Sequence, residues 1–215
     1  MIEEYTDIGA TTTEGLEISR KSRMLISEMI GGETLEDRIR QRCVIATGDP
    51  SVAGILRFLH SPAEEGLRAL KRGAPIYVDI RMVEAGVLKR GHRSRIETFL
   101  GQGDLLASAR GITRTSAGVL AARDGFSGSI VVIGNAPSAL LALCDLIESG
   151  EALPSLVIGT PVGFVNAAES KERLRRLQVP SISTVGTRGG SPIAVAAINE
   201  IINTHARDLQ DSRGE

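Results

Sequence analysis

A three-layer α/β/α fold around a mainly parallel sheet is predicted by three observations on the 215-residue sequence. Short β-branched runs alternate with amphipathic or mixed stretches, the pattern of strands joined by crossover helices. Most of these runs are followed at once by Gly, Ser, Thr or Asn, the residues of strand-to-helix turns. Hydrophobic residues make up 42% of the chain, and no internal repeat or Pro- or Ser-rich linker divides it. One domain over 1–215 can therefore fill a sizeable core, with 1–15 and the charged tail 205–215 expected as flexible ends.

Along the chain, a helix over Leu16–Met29 precedes the first expected strand, Cys43–Thr47. Further strands are expected at Ile76–Ile80, Asp104–Ala109, Ile130–Ile133, Leu156–Ile158 and Ile182–Val185. Helical segments are expected at Val52–Phe58, Pro62–Arg72, Ser116–Arg123, Ser138–Ser149, Ala167–Leu177 and Pro192–Thr204. The apolar stretch Ser129–Ile147 is broken by Gly134-Asn135-Ala136-Pro137 and carries Asp145, so it reads as strand, turn and helix and not as a membrane span. Lys89–Gly103 is expected to be irregular; it holds Lys89, Arg90, Arg93 and Arg95 and reads first as a solvated loop, second as a loop that catches an acidic ligand.

Composition narrows the function. Lys plus Arg is 25 against 26 for Asp plus Glu, a net charge of −1, so no basic excess points to nucleic acid. Two Tyr, four Phe and no Trp are too few for the stacking platforms of single-strand binders. Cys43 and Cys144 form no C-x-x-C pair, which fits a reducing cytoplasm better than a disulfide framework or zinc ribbon. The acidic, polar N-terminus lacks the features of an export signal. His60, His92 and His205 are scattered, and no phosphate loop, dinucleotide fingerprint or nucleophile elbow is present, so neither a metal nor a cofactor is expected.

In open parallel sheets ligands bind beyond the carboxyl ends of the strands. The residues there are Thr47-Gly48-Asp49-Pro50, Arg81-Met82, and the stretches 110–116, 134–138, 159–164 and 186–191. Glycines permit close backbone approach, and Ser, Thr or Asn ahead of a helix leave N–H groups for an anion. Such a rim suits carboxylates or phosphates, although each turn taken singly is also explained by structure alone.

Taken together, the turns resemble a known family. The strings GNAPSALLALCDLIESG (134–150), LVIGTPVGFVNAAESKERL (156–174) and VGTRGGSPIAVAAIN (185–199) are similar to the C-terminal half of precorrin-8X methylmutases. Upstream, ALKRGAPIYVDIRMVEAGV (69–87), GITRTSAGV (111–119), RKSRMLISE (20–28) and RCVIATGD (42–49) extend the resemblance over about residues 16–203. It implies a flavodoxin-like fold, a homodimer with the site near the interface, and an acidic tetrapyrrole as ligand. The implied reaction is a methyl shift within ring C of precorrin-8X, giving hydrogenobyrinate, or the same shift on the cobalt-containing precursor, without a cofactor.

Moving a methyl group with no redox change calls for a proton on, or a hydrogen bond to, a ring nitrogen, which suits general acid–base catalysis. The family's proton donor is the histidine of R-x-x-H-A-[TC]; here the motif reads Arg42-Cys43-Val44-Ile45-Ala46-Thr47, so Ile45 occupies that position and has no proton to give. By the same resemblance Ser22, Arg42, Thr47, Asp79, Met82, Arg114, Thr115 and Ser116 face the substrate, with Arg114 also in the catalytic set. Arginines there would grip the acid arms of the ligand. Lys21 and Arg23 flank Ser22 where the family usually has Arg and Phe. If Cys43–Thr47 is a strand, Cys43, Ile45 and Thr47 share one face, and His92 is a distant alternative proton source. Three readings follow: a working isomerase with another proton source, a corrinoid-binding relative without the chemistry, or an isomerase of another tetrapyrrole.

Overall fold

Residues 7–214 of a computed structural model are described, and within them the α/β alternation becomes a six-stranded sheet. The elements run α1 Thr13–Ile30, α2 Leu35–Thr47, α3 Val52–Ile55, β1 Leu56–Leu59, α4 Pro62–Lys71, β2 Ile76–Val78, α5 Arg81–Gly86 and β3 Ile96–Thr98. They continue with α6 Asp104–Arg110, α7 Arg114–Ala122, a 3₁₀ turn Arg123–Gly125, β4 Ile130–Ile133, α8 Pro137–Glu148, β5 Leu156–Gly159, α9 Ala167–Arg176, β6 Ser181–Thr184 and α10 Ser191–Gly214. The spatial order is β1-β6-β5-β4-β2-β3, with β1 antiparallel to β6 and every other pairing parallel. The five parallel strands thus follow the 2-1-3-4-5 order of flavodoxin-like sheets, and β1 is an added antiparallel edge.

Two expected strands are helices. Cys43–Thr47 forms the last turns of α2, whose start is set by a capping box between Thr34 and Asp37 and whose end is the left-handed Gly48. Asp104–Ala109 lies in α6, closed by left-handed Gly111. Runs this short, with four apolar residues each, cannot by themselves separate a strand from a helical turn. Conversely, β1 and β3 were expected as helix and loop. Both are edge strands interrupted by charge, at Arg57 and Glu97, which suits an edge and hides the strand pattern. The tail, expected to fray, continues as helix α10 to Gly214, with His205 and Ala206 buried; 1–6 lie outside the described residues.

Strand alternation divides the core in two. Ile76, Val78, Ile130, Val132, Leu156 and Ile158 face the layer of α2, α4, α5 and α10. Tyr77, Val131, Ile133 and Val157 face α7, α8 and α9. The second half holds edge-to-face pairs of Tyr77 with Phe126 at 5.2 Å and Phe99 with Phe126 at 6.1 Å, so three of the chain's six aromatic rings pack on one another.

Helix α1 lies outside the first layer, on α2, and its only buried residue is Arg23. The Arg23 guanidinium donates to Glu200 Oε2 of α10 at 2.6 Å and to Arg38 O of α2 at 2.8 Å. A buried ion pair therefore fastens the outer helix to the domain.

Candidate functional site

The strand order reverses between β2 and β4, so the crevice at their carboxyl ends is where a ligand is expected. Asp79 follows β2 there and is completely buried. Its carboxylate accepts backbone N–H groups of Gly134 at 3.2 Å, Asn135 at 2.7 Å and Ala136 at 2.9 Å. Burial raises its pKa, and these three bonds oppose the rise. Asp79, expected at the substrate, is thus committed to holding the β4–α8 turn and offers a ligand no exposed surface. Gly134 makes that turn possible, since a Cβ there would lie 2.9 Å from Ser191 Cα. At Gly189 a Cβ would lie 2.2 Å from Thr160 O, so the β5 and β6 loops also meet at bare backbone.

On the α7–α8 side of the edge, hydroxyls converge. Thr113 caps α7 by accepting from Ser116 N at 3.1 Å, and its Oγ1 lies 2.9 Å from Ser138 Oγ and 3.2 Å from Thr115 Oγ1. Ser116 Oγ donates to Ser138 O at 3.0 Å. Thr115 and Ser116 are therefore brought together with Ser138, which the expected site lacked. Arg114 is exposed and grips Asp104 with two bonds of 2.9 and 2.8 Å. Met82 on α5 and Phe164 and Val165 after β5 expose apolar side chains on the same edge, Phe164 at 95%.

Ser22, Arg42 and Ile45 assemble elsewhere, along a groove of about 440 Å³ between α1 and α2. Ile45 is half-buried in its wall. Arg42 Nη1 binds Asp7 Oδ2 at 2.6 Å, and Ser19 Oγ donates to the same oxygen at 2.9 Å. Burial would raise the Asp7 pKa, but the bond and charge of Arg42 outweigh it and hold the carboxyl below its usual value. Because Cys43–Thr47 is helical, Cys43 and Thr47 lie one turn apart with Thr47 Oγ1 donating to Cys43 O at 2.8 Å, and Ile45 points away from both. Cys43 is fully buried, and burial pushes its thiol to about 12. His92 is tied into its own loop, with Nε2 2.8 Å from Leu88 O and Nδ1 accepting from Ser94 N, ahead of β3 and so at the amino edge of the sheet.

The sequence reading missed Lys171. Its ammonium is buried and donates to Thr184 Oγ1 at 3.1 Å and Arg188 O at 2.7 Å, and burial followed by the charge of Arg175 brings its pKa down to about 8. It anchors the loop after β6; a lysine on an otherwise amphipathic helix carries no sequence signal for that task. Among the described residues no group of three or more His, Cys, Asp or Glu converges on a point, and no helix is long and apolar enough to cross a membrane.

This architecture has clear relatives. The family model CbiC, precorrin-8X methylmutase, matches residues 17–204. The cobalt-precorrin-8 methylmutase of Methanothermobacter thermautotrophicus is 44% identical over 201 residues, covering 91% of this chain and 96% of that protein. The cobalt-precorrin-8 methylmutase of Methanocaldococcus jannaschii is 42% identical over 207 residues with the same coverage of 91% and 96%. A solved structure described as precorrin-8x methyl mutase from Thermus thermophilus superposes with a TM-score of 0.82 at 36% identity, covering 89% of this chain and 97% of that one.

Proposed function

Because the chain belongs to the precorrin-8X methylmutase family, we propose that it is an isomerase of cobalamin biosynthesis that moves a methyl group within ring C of precorrin-8X or its cobalt-containing counterpart. The observation that carries this reading is the carboxyl edge, where exposed Met82, Phe164 and Val165 accompany the Thr115–Ser116–Ser138 hydroxyls and Arg114. A flat macrocycle edged with carboxylates needs both kinds of contact, apolar walls for its faces and donors for its arms. Arg114 can exchange Asp104 for a ligand carboxylate at small cost, since an exposed ion pair contributes little. Neither Asp7, held ionised in the groove by Arg42, nor Cys43, sealed in the core with its thiol raised to about 12, is placed to give a proton, so this reading takes the proton from water. Incubation with precorrin-8X, followed by its visible spectrum, tests the assignment: conversion to hydrogenobyrinate is expected, and binding without conversion leaves a corrinoid binder. Arg114→Ala should weaken corrinoid affinity by about tenfold, the loss of one charge-assisted contact; equal affinity would remove Arg114 from the site.

We also infer a homodimer. The groove of Ser22, Arg42 and Ile45 belongs to the α1–α2 side, while Thr115, Ser116 and Ser138 belong to the opposite layer, so a second copy can complete what one chain leaves divided. Helix α1 shows an outward stripe of Ile18, Leu25 and Met29, each about half to two-thirds exposed, where a partner would bury apolar surface. Sedimentation equilibrium should return twice the chain mass; a monomer at micromolar concentration would rule the dimer out. Two free, buried cysteines support a reducing cytoplasm as its compartment.

A further inference from the structure

The basic stretch before β3 does not join the carboxyl-edge site. It borders a separate cavity of about 1160 Å³ at the amino edge of the sheet, walled also by the end of α4, the segment at Asp7 and the last turns of α10. Lys71, Arg72, Arg90 and Arg93 line it against two carboxylates, Asp7 and Asp208. Asp7 is already committed to Arg42, and Asp208 stands 4.0 Å from Lys71. On a chain of net charge −1, this is a local concentration of positive charge around a concavity.

Its walls are set in advance. Arg90 donates to Ile8 O at 2.5 Å, and the His92 ring is fixed between Leu88 O and Ser94 N. His205 lies in the inner wall, 3% exposed, and its Nδ1 has no hydrogen-bond partner. The ring thus backs the cavity from within, where a bound charge would be felt by it.

We propose that this cavity is a second ligand site for a small, multiply charged anion of the phosphate or polycarboxylate kind, gripped by Arg90, Arg93 and Lys71, with the His205 ring in its inner wall. A guanidinium fork can engage two oxygens of a carboxylate or of a tetrahedral phosphate, so the two sources share one recognition chemistry. Arg114 and the hydroxyl cluster take no part in this site, although Asp7 borders both this cavity and the α1–α2 groove.

Calorimetric titration of the full chain with inorganic pyrophosphate, and separately with citrate, at low ionic strength is the test. One saturable site is expected, and the tighter of the two probes identifies phosphate or polycarboxylate as the natural class. The double variant Arg90→Ala with Arg93→Ala should lose about a hundredfold in affinity, roughly tenfold for each charge-assisted contact, while Arg114→Ala binds as the parent does. Because His205→Phe alters a buried position, His205 is followed instead by its ring NMR signals, which should shift during the pyrophosphate titration. Absence of saturation into the millimolar range, or an affinity unchanged by the double variant, would overturn the proposal. Saturable binding that leaves the His205 signals unmoved would place the anion elsewhere on the molecule and would equally overturn it.

Discussion

Ile45→His raises the rate of precorrin-8X conversion on the order of 10²- to 10⁴-fold, the contribution of a positioned general acid. Ile45 lines the α1–α2 groove beside Ser22 and Arg42, so an imidazole there is presented to the groove and not to the core. The position is in the last turns of α2, where the helix dipole favours an imidazolium and keeps its proton available near neutrality. Neither neighbouring acid can serve in its place: Asp7 is held ionised by Arg42, and Cys43 is sealed in the core with its thiol raised to about 12. The measurement is the single-turnover rate from the visible spectrum, with circular dichroism to confirm the fold. An unchanged rate in a folded variant would show that the reacting ring does not lie against this groove.

Arg23→Ala costs about 3–5 kcal/mol of stability, because it strands the Glu200 carboxylate in the core without its 2.6 Å partner. Arg38 Nε, 3.9 Å from Glu200, is too distant to replace that bond. The replacement also frees α1, whose only buried side chain is Arg23, and with it the wall that carries Ser22. Urea unfolding followed by circular dichroism reads the loss as a lower midpoint. The paired replacement Arg23→Met with Glu200→Leu should return most of the stability, since apolar residues of similar size need no desolvation of charge. If the single and double variants fall equally, the ion pair is not what holds α1.

The interior strands were legible because burial on both faces demands unbroken apolar runs: IVVI at 130–133, LVIG at 156–159 and IYV at 76–78 stand almost where expected. The edges were not. Leu56–Leu59 and Ile96–Thr98 are half-solvated and carry charge, so their local pattern is that of a loop or a mixed helix. Cys43–Thr47 shows the opposite error, an apolar end of a helix whose cap, Thr34 with Asp37, lies nine and six residues upstream of the run being judged.

The candidate site divides in the same way. Turn chemistry at the carboxyl edge, from Thr113 to Ser116 and from Gly134 to Ser138, can be read in one dimension because caps and tight turns are made by neighbours in the chain. Asp79 could be named but not assigned: only its contact with N–H groups more than fifty residues away shows that it clamps the β4–α8 turn. Arg42 likewise pairs with Asp7, Arg23 with Glu200 and Lys171 with Arg188, all partners that chain distance hides. The sequence by itself determined the α/β class, the parallel interior of the sheet and the family, through local periodicity and turn residues. Tertiary structure alone decided which charges are spent on the fold and which face solvent, because the partner of a buried charge is chosen by packing in space.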